Sequence, residues 1–271
     1  MPNITIAITG AGSGIGRALA YASAKRGYNL ALSDVNLAAL EQLKLELKLP
    51  DERVSISPVD VSDFDAVCAW RDQILAHFSG VDILINNAGV ALISRAENQS
   101  NEDLARVMNI NFWGVVWCTR AFIPLIKNAP VGHIVNTSSI FGMVGIAGQS
   151  AYNAAKFGVR GFSESLIAEY RNTSIAVSCV HPGGIATNIA KRSRADGEWD
   201  AVTAEERDQQ FKQHTPTTPE QAAAIILAGS ARRKARIMVG KDAWFVQLLA
   251  RLFPVGYHAL TTRWPDDAKK S

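Results

Sequence analysis

Seven short runs of apolar and β-branched residues recur along the chain: Ile4 to Ile8, Asn29 to Ser33, Val54 to Pro58, Ile83 to Ile85, His133 to Thr137, Ala176 to Val180 and Arg236 to Val239. Between them lie segments whose apolar residues fall at helical spacing. Parallel strands need a long crossover connection, and a helix supplies it, so this alternation marks successive βαβ units. The runs are apolar almost throughout, which means that both faces of the sheet must be covered. The fold class expected is α/β, a doubly wound parallel sheet in three layers.

With 271 residues, 48% of them hydrophobic, the chain can bury one continuous core, and a single domain over 1–271 is expected. One stretch, 186–219, breaks the rhythm: it is polar, with apolar anchors at Ile189, Trp199 and Phe211. It is longer than a simple connection needs, which marks either a substrate loop or lid, or a purely solvated loop. Net charge is +3, and the basic residues stand in short groups (Lys191, Arg192, Arg194; Arg232, Arg233, Lys234, Arg236), which read as solvated faces and give no nucleic-acid footprint. Cys68, Cys118 and Cys179 are odd in number and too far apart for metal-ligand spacing, so no metal is expected and a reduced, cytoplasmic setting fits. The first residues enter a strand-like run at once, without the basic and apolar regions of a signal peptide.

The first run is followed by Thr9-Gly10-Ala11-Gly12-Ser13-Gly14-Ile15-Gly16-Arg17 and then a helical segment. Glycines at a strand-to-helix turn let a pyrophosphate approach backbone N–H groups where the helix dipole favours negative charge. This assigns Gly10, Ser13, Gly14, Ile15 and Gly16 to a dinucleotide. Asp34 closes the second run, 18 residues after Gly16, where a carboxylate accepts the adenosine ribose hydroxyls and repels a 2′-phosphate. Neither Val35 nor Asn36 offers a cation to that phosphate, so NAD is expected over NADP.

Tyr152 and Lys156 stand four apart in a helix-forming segment and so project from one face. An ammonium beside a phenol favours phenolate, which would make Tyr152 a usable acid and base. The same spacing occurs at Tyr21 and Lys25, so the pair alone carries little weight. Thirteen residues before Tyr152 stands Ser139, at a strand end where open α/β sheets bind ligands; thirteen before Tyr21 stands Ile8, in mid-strand. Ser138 and Ser139 could equally cap a turn. Asn86-Asn87-Ala88-Gly89 follows another strand, either lining the cofactor groove or making a turn.

With these motifs in this order, the sequence resembles the short-chain dehydrogenase/reductase family over about residues 4 to 240, a Rossmann-like fold. The resemblance rests on the glycine motif, Asn86 to Gly89, Asn111, Ser139, Tyr152 with Lys156, and Pro182-Gly183 with Thr187. It implies Tyr152 as general acid/base, Lys156 binding the nicotinamide ribose and lowering the phenol's pKa, Ser139 orienting substrate, and Asn111 holding a relay water. Read from the residues alone, Asn111 is a satisfied helix-interior amide. The resemblance further implies that Asp60 and Val61 contact adenine, that Asn87, Ala88 and Gly89 line the cofactor, and that Ile185 and Thr187 hold its carboxamide and phosphate region.

The expected activity is hydride transfer between NAD(H) and a secondary alcohol or ketone, lipophilic in character. The competing reading is a catalytically silent, dinucleotide-sensing protein of the same fold. Residues 241–271 form a C-terminal extension in which Trp244, Leu248, Leu252 and Phe245, Leu249, Phe253 make adjacent helical stripes, ended by Pro254. The stripe is expected to lie against the body or a neighbouring subunit, with a substrate-pocket wall and a membrane-surface contact as alternatives. Trp113 and Trp117 pose the same question, and the resemblance favours a homodimer or homotetramer.

Overall fold

The computed structural model describes residues 4–191, 193–195, 203–213 and 215–258. Its strands are β1 (Thr5–Thr9), β2 (Asn29–Asp34), β3 (Val54–Pro58), β4 (Ile83–Asn86), β5 (Leu92–Ile93), β6 (His133–Thr137), β7 (Ala176–Pro182), β8 (Arg194–Ala195) and β9 (Arg236–Val239). Its α-helices are α1 (Gly14–Lys25), α2 (Leu37–Leu47), α3 (Phe64–Phe78), α4 (Asn101–Met108), α5 (Gly114–Lys127), α6 (Ser150–Glu169), α7 (Ala204–Gln213), α8 (Pro219–Ala231) and α9 (Lys241–Leu252). All seven strands anticipated from sequence are present, in a parallel sheet ordered β3-β2-β1-β4-β6-β7-β9.

The chain winds outward from β1 to β3, then returns to β4 on the other side of β1. Between β1 and β4 the strand order reverses, which opens a crevice beyond their carboxyl ends. Strand pleating sends alternate residues to opposite layers. Ile6 and Ile8 meet Leu19 of α1 and Ile226 and Leu227 of α8 on one face, while Ala7 meets Trp70, Ile74 and Phe122 of α3 and α5 on the other. Helix starts are fixed locally: Asn36 accepts from Ala39 N at 3.1 Å, Asp63 caps α3, and Thr218 and Gln221 form a reciprocal capping box around Pro219.

Two features were not anticipated. β5 and β8 pair in a small parallel sheet of their own, reinforced by Arg194 on Asp103 at 2.6 Å, so part of the 186–219 stretch is tied to the start of α4. That stretch also carries α7. Of its expected anchors, Ile189 is half-buried, Phe211 lies within α7, and Trp199 falls outside the described residues. The second feature is a π-helical turn, Asn109–Trp113, joining α4 to α5. In the C-terminal extension, α9 stops at Leu252, just before Pro254, as the sequence anticipates. No described helix is long and apolar enough to cross a membrane.

Candidate active site

The glycine turn sits at the reversal of strand order and is laced to β4. Thr9 Oγ1 accepts from the N–H groups of Asn87 and Ala88, each at 3.0 Å, and Asn87 Nδ2 donates to the carbonyls of Thr9 (3.0 Å) and Gly10 (3.3 Å). Asn87 thus builds the floor of the groove by holding the turn in place. A Cβ on Gly16 would stand 2.1 Å from Gly10 O, so α1 rides directly on the turn and only glycine fits there. Gly14, at φ +53°, opens α1, and a Cβ on it would reach 3.1 Å from Thr187 Cγ2. Thr187 therefore faces the amino end of α1, formed by Ser13, Gly14 and Ile15, where N–H groups and dipole favour an anion.

Asp34 ends β2 beside this turn, with Oδ2 accepting from Gly12 N at 2.9 Å and Oδ1 from Asn36 N at 3.0 Å. These bonds fix the carboxylate in orientation, and the neighbouring Val35 is 71% exposed and uncharged. Asp60 is exposed and folds back on Ser62 through N (2.9 Å) and Oγ (2.7 Å), while Val61 is buried against Gly114. Ile185 is buried, and its carbonyl accepts from Thr187 N at 2.7 Å. The glycine cradle, the α1 amino end and the fixed carboxylate together fit a dinucleotide.

The second half of the site lies on α6. Lys156 is only 3% exposed; its Nζ donates to Thr137 O at 3.0 Å and lies 5.6 Å from the Tyr152 ring centroid. Ser138 Oγ donates to Lys156 O at 2.8 Å, tying α6 to the end of β6. Ser139 is buried, accepts from Phe141 N at 3.1 Å and shares a hydrogen bond with Tyr152. Gly89 is wedged between partners: a Cβ there would stand 3.3 Å from Asn111 Oδ1 and 3.6 Å from Lys156 Nζ. The sequence-predicted residues Gly89, Asn111, Ser139, Tyr152 and Lys156 thus converge at one end of the sheet.

Two details of these residues bear on their chemistry. Asn111 is fully buried, but its amide clamps Val90, donating to its carbonyl and accepting from its N–H, both at 2.8 Å. These two bonds use one of the amide's two N–H donors and one of its two lone pairs, so they fix the side chain without exhausting it. Burial pushes Tyr152 up to about 12, opposed only by the Ser139 hydrogen bond, and burial likewise pulls Lys156 down to about 8.

The model of the short chain dehydrogenase family matches residues 4–198, the span that contains every one of these elements from the glycine turn to Thr187. The chain belongs to that family. A Mycobacterium tuberculosis protein designated an oxidoreductase, SadH, is 43% identical over 256 residues, covering 93% of this chain and 92% of that protein. The 3-oxoacyl-[acyl-carrier-protein] reductase FabG of Chlamydia trachomatis is 35% identical, over 73% of this chain and 81% of its own length. Among solved structures, a short chain dehydrogenase/reductase from Burkholderia phymatum in complex with NAD superposes with a TM-score of 0.84 at 29% identity, over 92% of this chain and 93% of that one.

In this short-chain dehydrogenase the competing pair is plainly elsewhere. The Tyr21 hydroxyl is bonded to Glu46, which also meets Arg17, and Lys25 is exposed. Three residues that sequence reasoning passed over matter to the site. Asp242 accepts from Gly184 N at 2.6 Å and fills the space that a Cβ on Gly183 would need, only 2.1 Å away. Tyr257 is buried, and its hydroxyl accepts from Gly145 N at 3.0 Å, bracing the loop after Ser139. His181, also buried, meets the Ser139 carbonyl through Nδ1 at 3.1 Å and is pulled down to about 4 by burial, which keeps it neutral and makes Nδ1 the donor. His181 adjoins the Pro182-Gly183 motif, but the partners of this segment, Ser139 and Asp242, are distant in sequence and unreadable there.

Proposed function

We propose that this short-chain dehydrogenase moves a hydride between NAD(H) and a secondary alcohol or ketone of lipophilic character. The observation that carries the proposal is the meeting of Ser139, Tyr152 and Lys156 beside the crevice at which the strand order reverses. Bound NAD supplies the hydride acceptor and a positively charged ring. Tyr152 takes the alcohol proton as the carbinol carbon gives up hydride, and returns it in the reduction direction. Ser139 holds the substrate oxygen, and Lys156, fixed on Thr137 O, supplies a cation within reach of the phenol and the ribose. Asn111, clamped on Val90 in the π turn, holds the relay water; π turns recur at such sites.

Asp34 supports NAD over NADP, because an oriented carboxylate with no neighbouring cation repels a 2′-phosphate. Asp60 and Val61 are assigned to the adenine side, and Asn87, Ala88, Gly89, Ile185 and Thr187 to the groove. An apolar substituent is supported by Phe141, whose ring stands edge-on to Tyr152 at 6.4 Å and adjoins the cluster of Val144, Leu249 and Tyr257. The 186–219 stretch, with β8 and α7, serves as the lid. The stacked Trp113 and Trp117 rings, 5.1 Å apart, with Phe64 of α3 beside them, make a partly exposed aromatic face around the start of α5, suited to a second copy of the chain.

Tyr152→Phe tests the mechanism. The variant should bind NAD as the parent does in calorimetry and lose turnover by roughly 10²–10⁴-fold in NADH absorbance. An unchanged rate would refute Tyr152 as the acid/base. A panel of alcohols graded by chain length and ring content should show kcat/KM rising with apolar size.

A further inference from the structure

Only part of the C-terminal stripe lies against the body. Of α9, only Ala243 and Leu249 are buried, the latter against Val144 and Tyr257. Trp244, Phe245, Leu248, Leu252, Phe253 and Val255 are 54% to 79% exposed and follow one another along the helix and its exit. Isolated exposed apolar residues are ordinary, but six large ones in one short segment form a patch of the kind that marks an interaction surface.

Charge selects the occupant. Between Lys241 and His258 the only carboxylate is Asp242, and it is turned inward onto Gly184 N at 2.6 Å. The outward groups are Lys241 and Arg251, both exposed. In a two-fold pairing of copies the same patch meets itself, so the seam would gather two such cations from each copy and no outward carboxylate from this segment. A surface of anionic headgroups neutralises them, while the aromatic and aliphatic side chains enter the acyl boundary. The inward face is already fixed by Leu249 and by Tyr257 on Gly145, so the outward side chains are presented without any rearrangement. The same anchor adjoins Phe141 and Tyr152, which places the patch beside the substrate side of the site.

We propose that α9 seats the protein peripherally on an anionic lipid surface, apolar stripe down, with the substrate side of the site turned toward the lipid. This seating is independent of the hydride-transfer reading, and its test needs no turnover. The full-length protein is floated with vesicles of phosphatidylcholine alone and of phosphatidylcholine mixed with phosphatidylglycerol. It should partition onto the mixed vesicles, and Lys241→Gln with Arg251→Gln should weaken that binding by roughly ten- to thirtyfold. Phe245→Ser with Leu248→Ser should abolish it while leaving the melting temperature and the sedimenting mass unchanged, since both side chains are exposed. No flotation, or equal flotation on the two vesicle types, overturns the proposal. So does a fall in sedimenting mass in the serine variant, which would make a second copy the occupant.

Discussion

The chain contains the tyrosine–lysine spacing twice, on α1 and on α6, and the two helices use it in opposite ways. On α1 the Tyr21 hydroxyl is bonded to Glu46 and Lys25 reaches into water, so the pair belongs to the outer surface of the cofactor-binding helix. On α6 the lysine is buried on a strand-end carbonyl and the phenol shares a hydrogen bond with Ser139. Spacing sets which side chains share a face; what that face meets decides whether the pair can do chemistry. The desolvation that drives Tyr152 and Lys156 away from their ordinary pKa values is absent from any four-residue pattern.

Lys156→Met against Lys25→Met breaks the comparison most sharply. The first should lower turnover by roughly 10²-fold or more, while the second should leave it within about twofold, since an exposed surface substitution touches no partner. The buried lysine should also show itself in stability. Lys156 is held at about 8 against an ordinary 10.5, so the unfolded chain binds this proton more tightly than the folded one. The burden on folding is therefore whole below about 8 and fades as pH rises toward 10.5. Lys156→Met should be the more stable protein near neutral pH by on the order of 1–3 kcal/mol, less the bond to Thr137. Thermal unfolding should show that gain shrinking as the buffer is made alkaline; a loss of stability at neutral pH would contradict the buried-cation account.

A smaller effect separates the cofactor end from the chemical end. Asp34→Ala with Val35→Arg should raise the NADP to NAD ratio of kcat/KM by roughly ten- to hundredfold, with the maximal rate in the preferred cofactor little changed. An unaltered ratio in paired kinetics would remove Asp34 from cofactor selection. The smallest effect belongs to Tyr21→Phe, which should cost under about 1 kcal/mol in denaturant unfolding, because its bond to Glu46 is partly solvated. A large loss of turnover in this variant would erase the distinction between the two pairs.

What was legible in the sequence follows from the range of the interactions. The seven strands could be read because each is a local apolar run, and the crevice could be read because glycine spacing and Asp34 are local to one βαβ unit. Ser139 could be placed because it stands two residues after the end of β6. The small sheet of β5 and β8 escaped because two-residue strands leave no periodicity, and their pairing joins Leu92 to Arg194. The π turn escaped because over five residues its spacing is close to that of an α-helix. Asn111 was placed in the site through resemblance, yet its clamp on Val90 is a contact no helical pattern encodes. The stripe of α9 was legible as a stripe, but its exposure depends on what does not lie against it.

Asp242 carries a consequence for anyone recombining this chain with its relatives. One carboxylate occupies the room beside Gly183 and holds Gly184, so the extension and the loop leading to Thr187 are keyed to each other like a tenon to its mortise. A chimera joined after Gly240 must bring its glycine pair and its aspartate from the same parent. Mismatched donors would leave either a clash or a gap next to the cofactor groove, even where each half is sound in its own context.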